Sequence, residues 1–123
     1  MTDKLIYLAS PYSHEDMKVC RERFERICFV AARLMEKGLS VYSPIAHTHP
    51  IAIHGGLDHL DHDFWMNIDE VMLDRCDELW VYTMDGWRDS RGVEMEVEYM
   101  TYAEKPVWYV DDIDKEWRLW RLL

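Results

Sequence analysis

The sequence predicts an α/β fold: a single doubly wound, flavodoxin- or Rossmann-like parallel sheet of four to five strands, in the order 2-1-3-4, with helices on both faces. Three observations carry this. Short apolar runs alternate with longer stretches of helical periodicity, and that alternation specifies parallel strands joined by crossover helices. Two of the runs end alike, in "LASP" and "VYSP", with a proline closing each strand. The length, 123 residues of which 49% are hydrophobic, suits one packed domain spanning residues 1–123 and leaves little room for a second.

"LIYLAS" (Leu5 to Ser10) is short, apolar and bounded by Pro11, and reads as a buried strand. From Glu15 to Lys37, the residues Met17, Cys20, Phe24, Ile27, Ala31, Leu34 and Met35 recur at three- and four-residue steps, which predicts a long helix closed by Gly38. "LSVYS" (Leu39 to Ser43) is a second strand, stopped by Pro44. Residues 45–60, with "HGG" at their centre, read as a loop. A helix from Asp61 to Arg75 is expected to turn Trp65, Ile68, Val71 and Met72 inward. "ELWVYTM" (Glu78 to Met84) is a third strand and "DGWRDS" a turn, followed by a helix to about Glu104 and a fourth strand, "PVWYV" (Pro106 to Val110). "DIDKEWRLWRLL" is expected to form an amphipathic helix, with Ile113, Trp117 and Trp120 on one face and Leu119, Leu122 and Leu123 widening it.

The formal net charge is -10, from 24 acidic and 14 basic residues. That balance argues against a nucleic-acid polymer as partner, which requires clustered Lys and Arg. It leaves room for a small anionic ligand at a helix N-terminus. Cys20, Cys28 and Cys76 are odd in number and form no C-x-x-C pair, a pattern that suits reduced thiols in a cytoplasmic protein. "MTDKLIYLAS" has too short an apolar stretch for a signal peptide, and no segment approaches a membrane span.

In open parallel sheets, ligands bind beyond the carboxyl ends of the strands, near the switch point in strand order. Ser10, the "HTHP" segment with His47 and His49, and the "DGWRDS" turn with Trp87 all belong to that rim. His47, His49, His54, His59 and His62 are interleaved with Asp58, Asp61 and Asp63, so metal binding has to be weighed. There is no H-E-x-x-H, and the spacing suits a polar lid in which His47 or His49 meets a ligand; neither a metal nor a cofactor is expected. The first strand-to-helix loop lacks the glycines of a dinucleotide fingerprint, which counts against a Rossmann oxidoreductase.

"DSRGVEMEVEYM" packs Glu94, Glu96 and Glu98 into one short stretch. On a helix at about 100° per residue, Val93, Val97 and Met100 form the apolar stripe. Glu94 and Glu98 then point to water, and Glu96 alone turns its carboxylate toward the protein, close to the helix N-terminus and the rim. Geometry leaves two readings open: a rim glutamate satisfied by a tyrosine or arginine, or a functional carboxylate.

"SRGVEME" fits the pattern Ser-x-Gly-Val-x-x-Glu, following a strand and a turn. It resembles the element that carries the nucleophilic glutamate in nucleoside 2-deoxyribosyltransferases and the related deoxynucleoside-monophosphate N-glycosidases. "IDEVMLDRCDELWVYT", with Asp69 eight residues before Asp77, and "IYLASPYS", with Tyr7 after Ile6, resemble the same families' helix-to-strand segment and first strand. The whole chain is most similar to a bacterial branch of that superfamily. The resemblance implies Glu96 as nucleophile, Asp69 orienting the sugar or moving a proton, Tyr7 holding the glutamate, and Ser90 and Gly92 contacting sugar or phosphate. Trp87 would replace the family's base-stacking group or cap the turn. The implied activity is cleavage or transfer at an N-glycosidic bond in a nucleoside or nucleotide, with a homo-oligomer, dimer or tetramer, as the assembly. Two features depart from the pattern: "SPYSH" replaces the glycine- and arginine-rich first loop of the monophosphate hydrolases, and "HTHPIAIHGGLDHLDHD" has no counterpart. A non-catalytic module that binds a nucleotide-like ligand is the rival from another class.

Overall fold

The computed structural model describes residues 4–113 and 116–120. Its strands are β1 (Leu5–Ala9), β2 (Ser40–Tyr42), β3 (Glu78–Tyr82), β4 (Val107–Ile113) and β5 (Glu116–Trp120). They form one sheet in the order β2-β1-β3-β4-β5. The first four are mutually parallel, and β5 runs antiparallel to β4. The helices are α1 (Met17–Glu36), α2 (Pro44–Gly55), α3 (His62–Arg75) and α4 (Arg91–Tyr102), with a short 3-10 turn at Trp87–Asp89.

Two apolar layers enclose the sheet. On one face, Ile27, Val30, Ala31 and Leu34 of α1 and Ile45 of α2 pack on Ile6, Leu8, Trp80 and Val110. On the other, Met66 and Leu73 of α3 and Val93 and Met100 of α4 pack on Tyr7, Ala9, Leu79 and Val81. Strand residues of alternating parity thus feed opposite cores, as the pleat requires. Asp77 ties β1 to β3 at their N-terminal ends: its Oδ2 accepts the Leu5 amide at 2.7 Å and its own amide donates to the Leu5 carbonyl at 2.8 Å.

Three expectations are corrected. Residues 44–55 form α2 and not a loop. The prolines and glycines that suggested irregular chain serve as helix punctuation: Ser43 Oγ caps the Ala46 amide at 3.1 Å and Pro44 occupies the first turn, where its missing N–H costs nothing. Gly56 closes the helix in the left-handed region, at φ 70°.

The tail is a strand and not an amphipathic helix. Its apolar residues match period two as well as 3.6, and cross-strand pairing decides: Trp120 lies opposite Tyr109 and stacks on it at 4.8 Å between centroids, while Arg118 pairs with Asp111. The side chains of Ile113 and Trp117, and residues Leu122 and Leu123, lie outside the described set. Finally, α3 is rotated from the expected setting. Met66, Leu73 and most of Asp69 face inward, whereas Ile68 and Val71 are exposed. An inward aspartate in place of an inward isoleucine is the first sign that this helix serves a site.

Candidate active site

The switch point in strand order lies between β1 and β3: the chain leaves β1 toward β2 on one side, and β3 lies on the other. Beyond their carboxyl ends is a cavity of about 360 Å³, within the range of small-molecule sites. Ser10 lines it from the end of β1, Asp69 and Met66 from α3, and Ser90, Gly92 and Glu96 from the start of α4.

Glu96 is 5% exposed, while Glu94 and Glu98 are open to solvent. The Tyr7 hydroxyl, from the middle of β1, donates a short hydrogen bond to Glu96 Oε2. Burial pushes the Glu96 carboxyl up to about 8; the Tyr7 hydrogen bond opposes this, and the nearby Asp69 charge adds to it. Burial likewise raises Asp69 to about 7. Tyr7 itself is held far above the usual phenol range, first by burial and then by the charges of Glu96 and Asp69. A glutamate held by hydrogen bonds to its charged form would stay ionised, leaving a proton-donating Asp69 as the group with the raised pKa. In the structure both are raised, Glu96 more so, because one phenol does not offset complete desolvation. The two carboxyls interact, so near neutral pH their protons belong to the pair.

Ser90 Oγ caps α4 by accepting the Val93 amide at 3.2 Å. The amides of Arg91 and Gly92 lie in the first turn, where a helix has no internal acceptor for them. A β-carbon at Gly92 would meet nothing closer than Ser90 Oγ at 3.9 Å, so its missing side chain leaves room at the cavity wall. Ser10 Oγ and Asp69 Oδ1 are buried with no protein hydrogen-bond partner. Unsatisfied polar atoms of this kind are costly, and a polar ligand would satisfy them.

Of the residues expected at the site, Glu96, Asp69, Ser10, Ser90 and Gly92 line the cavity, and Tyr7 stands behind Glu96. Two of the expected residues lie off the cavity. His47 is exposed and bonds the Tyr42 hydroxyl at 3.1 Å, because on α2 it points away from its neighbour by two positions, His49, which lines the cavity. Trp87 neither reaches the cavity nor only caps the turn: it packs on Tyr109 and Trp120 at 5.3 and 6.4 Å between centroids. The preceding Gly86, at φ 93°, makes the turn that sends the ring there. Tyr12 and Arg91 also line the cavity and were not singled out from the sequence; His59, named there within the histidine-rich stretch, lines it too. Their signal was positional only, since each sits just past a strand end or a helix boundary.

Among the described residues, no helix is long and apolar enough to cross a membrane. The family model described as a domain of unknown function (DUF1937) matches residues 4–112, and the chain belongs to that family. No curated protein matches the chain.

Proposed function

We propose that this DUF1937 protein cleaves or transfers at the N-glycosidic bond of a nucleoside, nucleotide or related metabolite, with Glu96 as nucleophile. The observation that carries the reading is the buried Tyr7–Glu96 hydrogen bond beside a second carboxyl, Asp69, at the edge of a ligand-sized cavity. An N-glycosidic bond breaks through an oxocarbenium-like state. A carboxylate oxygen of Glu96 forms a bond to the anomeric carbon as the bond to the base nitrogen breaks, and the electron pair leaves with the base. A proton from Asp69 neutralises that base. Water or a second base then attacks the anomeric carbon of the glycosyl ester, gives its proton to Asp69 and frees Glu96, and the choice between them separates hydrolysis from transfer. The two interacting carboxyls, raised to about 7 and about 8, share one proton near neutral pH; the step needs that proton on Asp69, and the Tyr7 hydrogen bond to Glu96 favours that arrangement.

One observation favours a second reading. A glutamate raised to about 8 is mostly neutral at pH 7 in the empty site, and a neutral carboxyl can bind a nucleotide-like ligand without attacking it. A binding or sensing module is therefore the alternative. Incubation with a panel of nucleosides and 5'-monophosphates, acid quench and mass spectrometry separates the two. A pentosyl adduct on the peptide containing Glu96 is expected; ligand binding with neither adduct nor base release favours the module. We further place the protein in the cytoplasm, in keeping with three free cysteines, as a homo-oligomer that engages neither a nucleic-acid polymer nor a membrane.

A further inference from the structure

A second set of side chains lines the same cavity and has no part in the chemistry above. Tyr12 follows the proline that stops β1, His49 stands on α2, and His59 lies in the connection from α2 to α3. The Tyr12 hydroxyl and His49 Nδ1 are hydrogen-bonded at 2.5 Å. The His49 ring is stacked on Phe24, with centroids 4.3 Å apart and planes at 25°. Tyr12 meets both imidazoles edge-on, at 5.5 and 6.1 Å between centroids. Three chain segments thus converge on one wall and fix each other's rings. His59 Nε2 is buried there with no protein partner.

This wall is built of aromatic rings and imidazoles. Burial, with the neighbouring His59, lowers the His49 pKa and so favours its uncharged imidazole. Beside it the cavity is apolar, lined by Ile45, Ala52 and Met66. A phosphate would require fixed cations, and the arginine of the cavity, Arg91, belongs to α4 and not to this set; a bare sugar would require many hydroxyl partners. Flat apolar surface with one or two imidazole edge groups instead suits an uncharged nitrogen heterocycle, which stacks by its faces and hydrogen-bonds by its rim. We propose that Tyr12, His49 and His59 form the subsite for the substrate's leaving heterocycle, with His59 Nε2 reading its edge and Tyr12 and His49 positioning it. This rests on the N-glycosidic reading of the site for the word "leaving", but the subsite can be tested without turnover.

The experiment uses the full chain carrying Glu96→Gln, which binds without reacting. Adenine, hypoxanthine, cytosine, uracil and thymine are titrated one by one, and 2-deoxyribose and ribose 5-phosphate separately. Imidazole nitrogen signals are followed by NMR and affinity by calorimetry. At least one base is expected to shift the His59 signal. Adding His59→Ala should weaken that base about tenfold and leave the sugars unchanged, as for a lost hydrogen bond. Tyr12→Phe, which keeps the ring, should weaken the same base by a smaller factor. The proposal is overturned if no base binds, if bases bind without moving His59, or if His59→Ala weakens base and sugar alike. A base that shifts His59, in a protein whose native form gives no adduct on Glu96, supports the subsite and removes the catalytic reading. An adduct with no effect of His59→Ala on base affinity does the reverse.

Discussion

The Tyr7 hydroxyl donates to the Glu96 carboxylate from 89 residues away in sequence, and both groups are buried at the carboxyl edge of the sheet. Because β1 and β3 are neighbours and α4 follows β3, the strand order brings the pair together. A phenol that gives its only proton to a desolvated carboxyl is a holding device: it fixes one oxygen of a residue that lines the cavity.

Glu96→Gln should fold and should be the more stable protein at alkaline pH. The sign follows from the raised pKa. Glu96 has an ordinary value of 4.5 and a folded value of about 8, so folding favours the protonated form. Its contribution is fully present below pH 4.5 and is lost as pH climbs toward 8, at a limiting slope of about 1.4 kcal/mol per pH unit. The glutamine is neutral throughout. The melting-temperature difference, variant minus native, should therefore grow between pH 5 and pH 8. A variant uniformly less stable than the native protein across that range would mark Glu96 as one end of a structural hydrogen bond and nothing more.

Tyr7→Phe removes the hydrogen bond that lowers the Glu96 pKa. Stability should fall by about 1 kcal/mol, the ordinary value of one hydrogen bond. The larger effect should be on turnover, with kcat/KM at pH 7 down about tenfold or more and the rising limb of its pH profile moved upward. Full activity with an unmoved profile would show that the phenol does not hold the reacting carboxylate.

Trp87→Ala separates the site from its surroundings. The ring is half-buried against Tyr109 and Trp120 and lies off the cavity wall. Stability should fall by about 2 kcal/mol, less than for a fully buried aromatic ring. Ligand affinity should stay within about twofold of native. His47→Ala, at an exposed position, should be near neutral in both respects.

What the sequence disclosed of this site depends on which periodicities were unambiguous. Glu96 could be placed because α4 carries a clean stripe of Val93 and Met100, so the direction of one glutamate among three followed from rotation angle alone. The parallel sheet followed from the alternation of elements. The tail did not, since its apolar residues fit period two as well as 3.6, and pairing with β4, with the Tyr109–Trp120 stack and the Asp111–Arg118 pair, makes it a strand. The α2 segment was hidden by Pro50 within the helix and by its two closing glycines, which dominate local composition. Asp69 was found by resemblance, and its inward direction is invisible to hydrophobic periodicity, which placed Ile68 and Val71 in its stead. The degree to which burial outweighs a single hydrogen bond at Glu96 is a property of packing that no local pattern encodes.

The pH dependence of turnover follows from the two carboxyls taken together. The reactive form carries one proton between them, with the nucleophile charged and the acid protonated. In the free protein the pair titrates with values raised to about 7 and about 8. Below this range both carboxyls hold protons and nothing attacks the anomeric carbon. Above it both are charged, no proton reaches the departing base, and two negative charges repel in a dry cavity. The profile of kcat/KM should therefore be bell-shaped, with its maximum between about pH 7 and pH 8. Asp69→Asn removes the proton donor and one charge. The falling limb should vanish, leaving a single rising limb set by Glu96 alone, at or below about pH 8 because the Asp69 charge is one of the causes holding Glu96 up. Substrates with poor leaving bases should lose the most rate in this variant, and those with good leaving bases the least. A bell that survives Asp69→Asn with both limbs in place would assign the acid to another residue of the cavity, and the role given to Asp69 would fall.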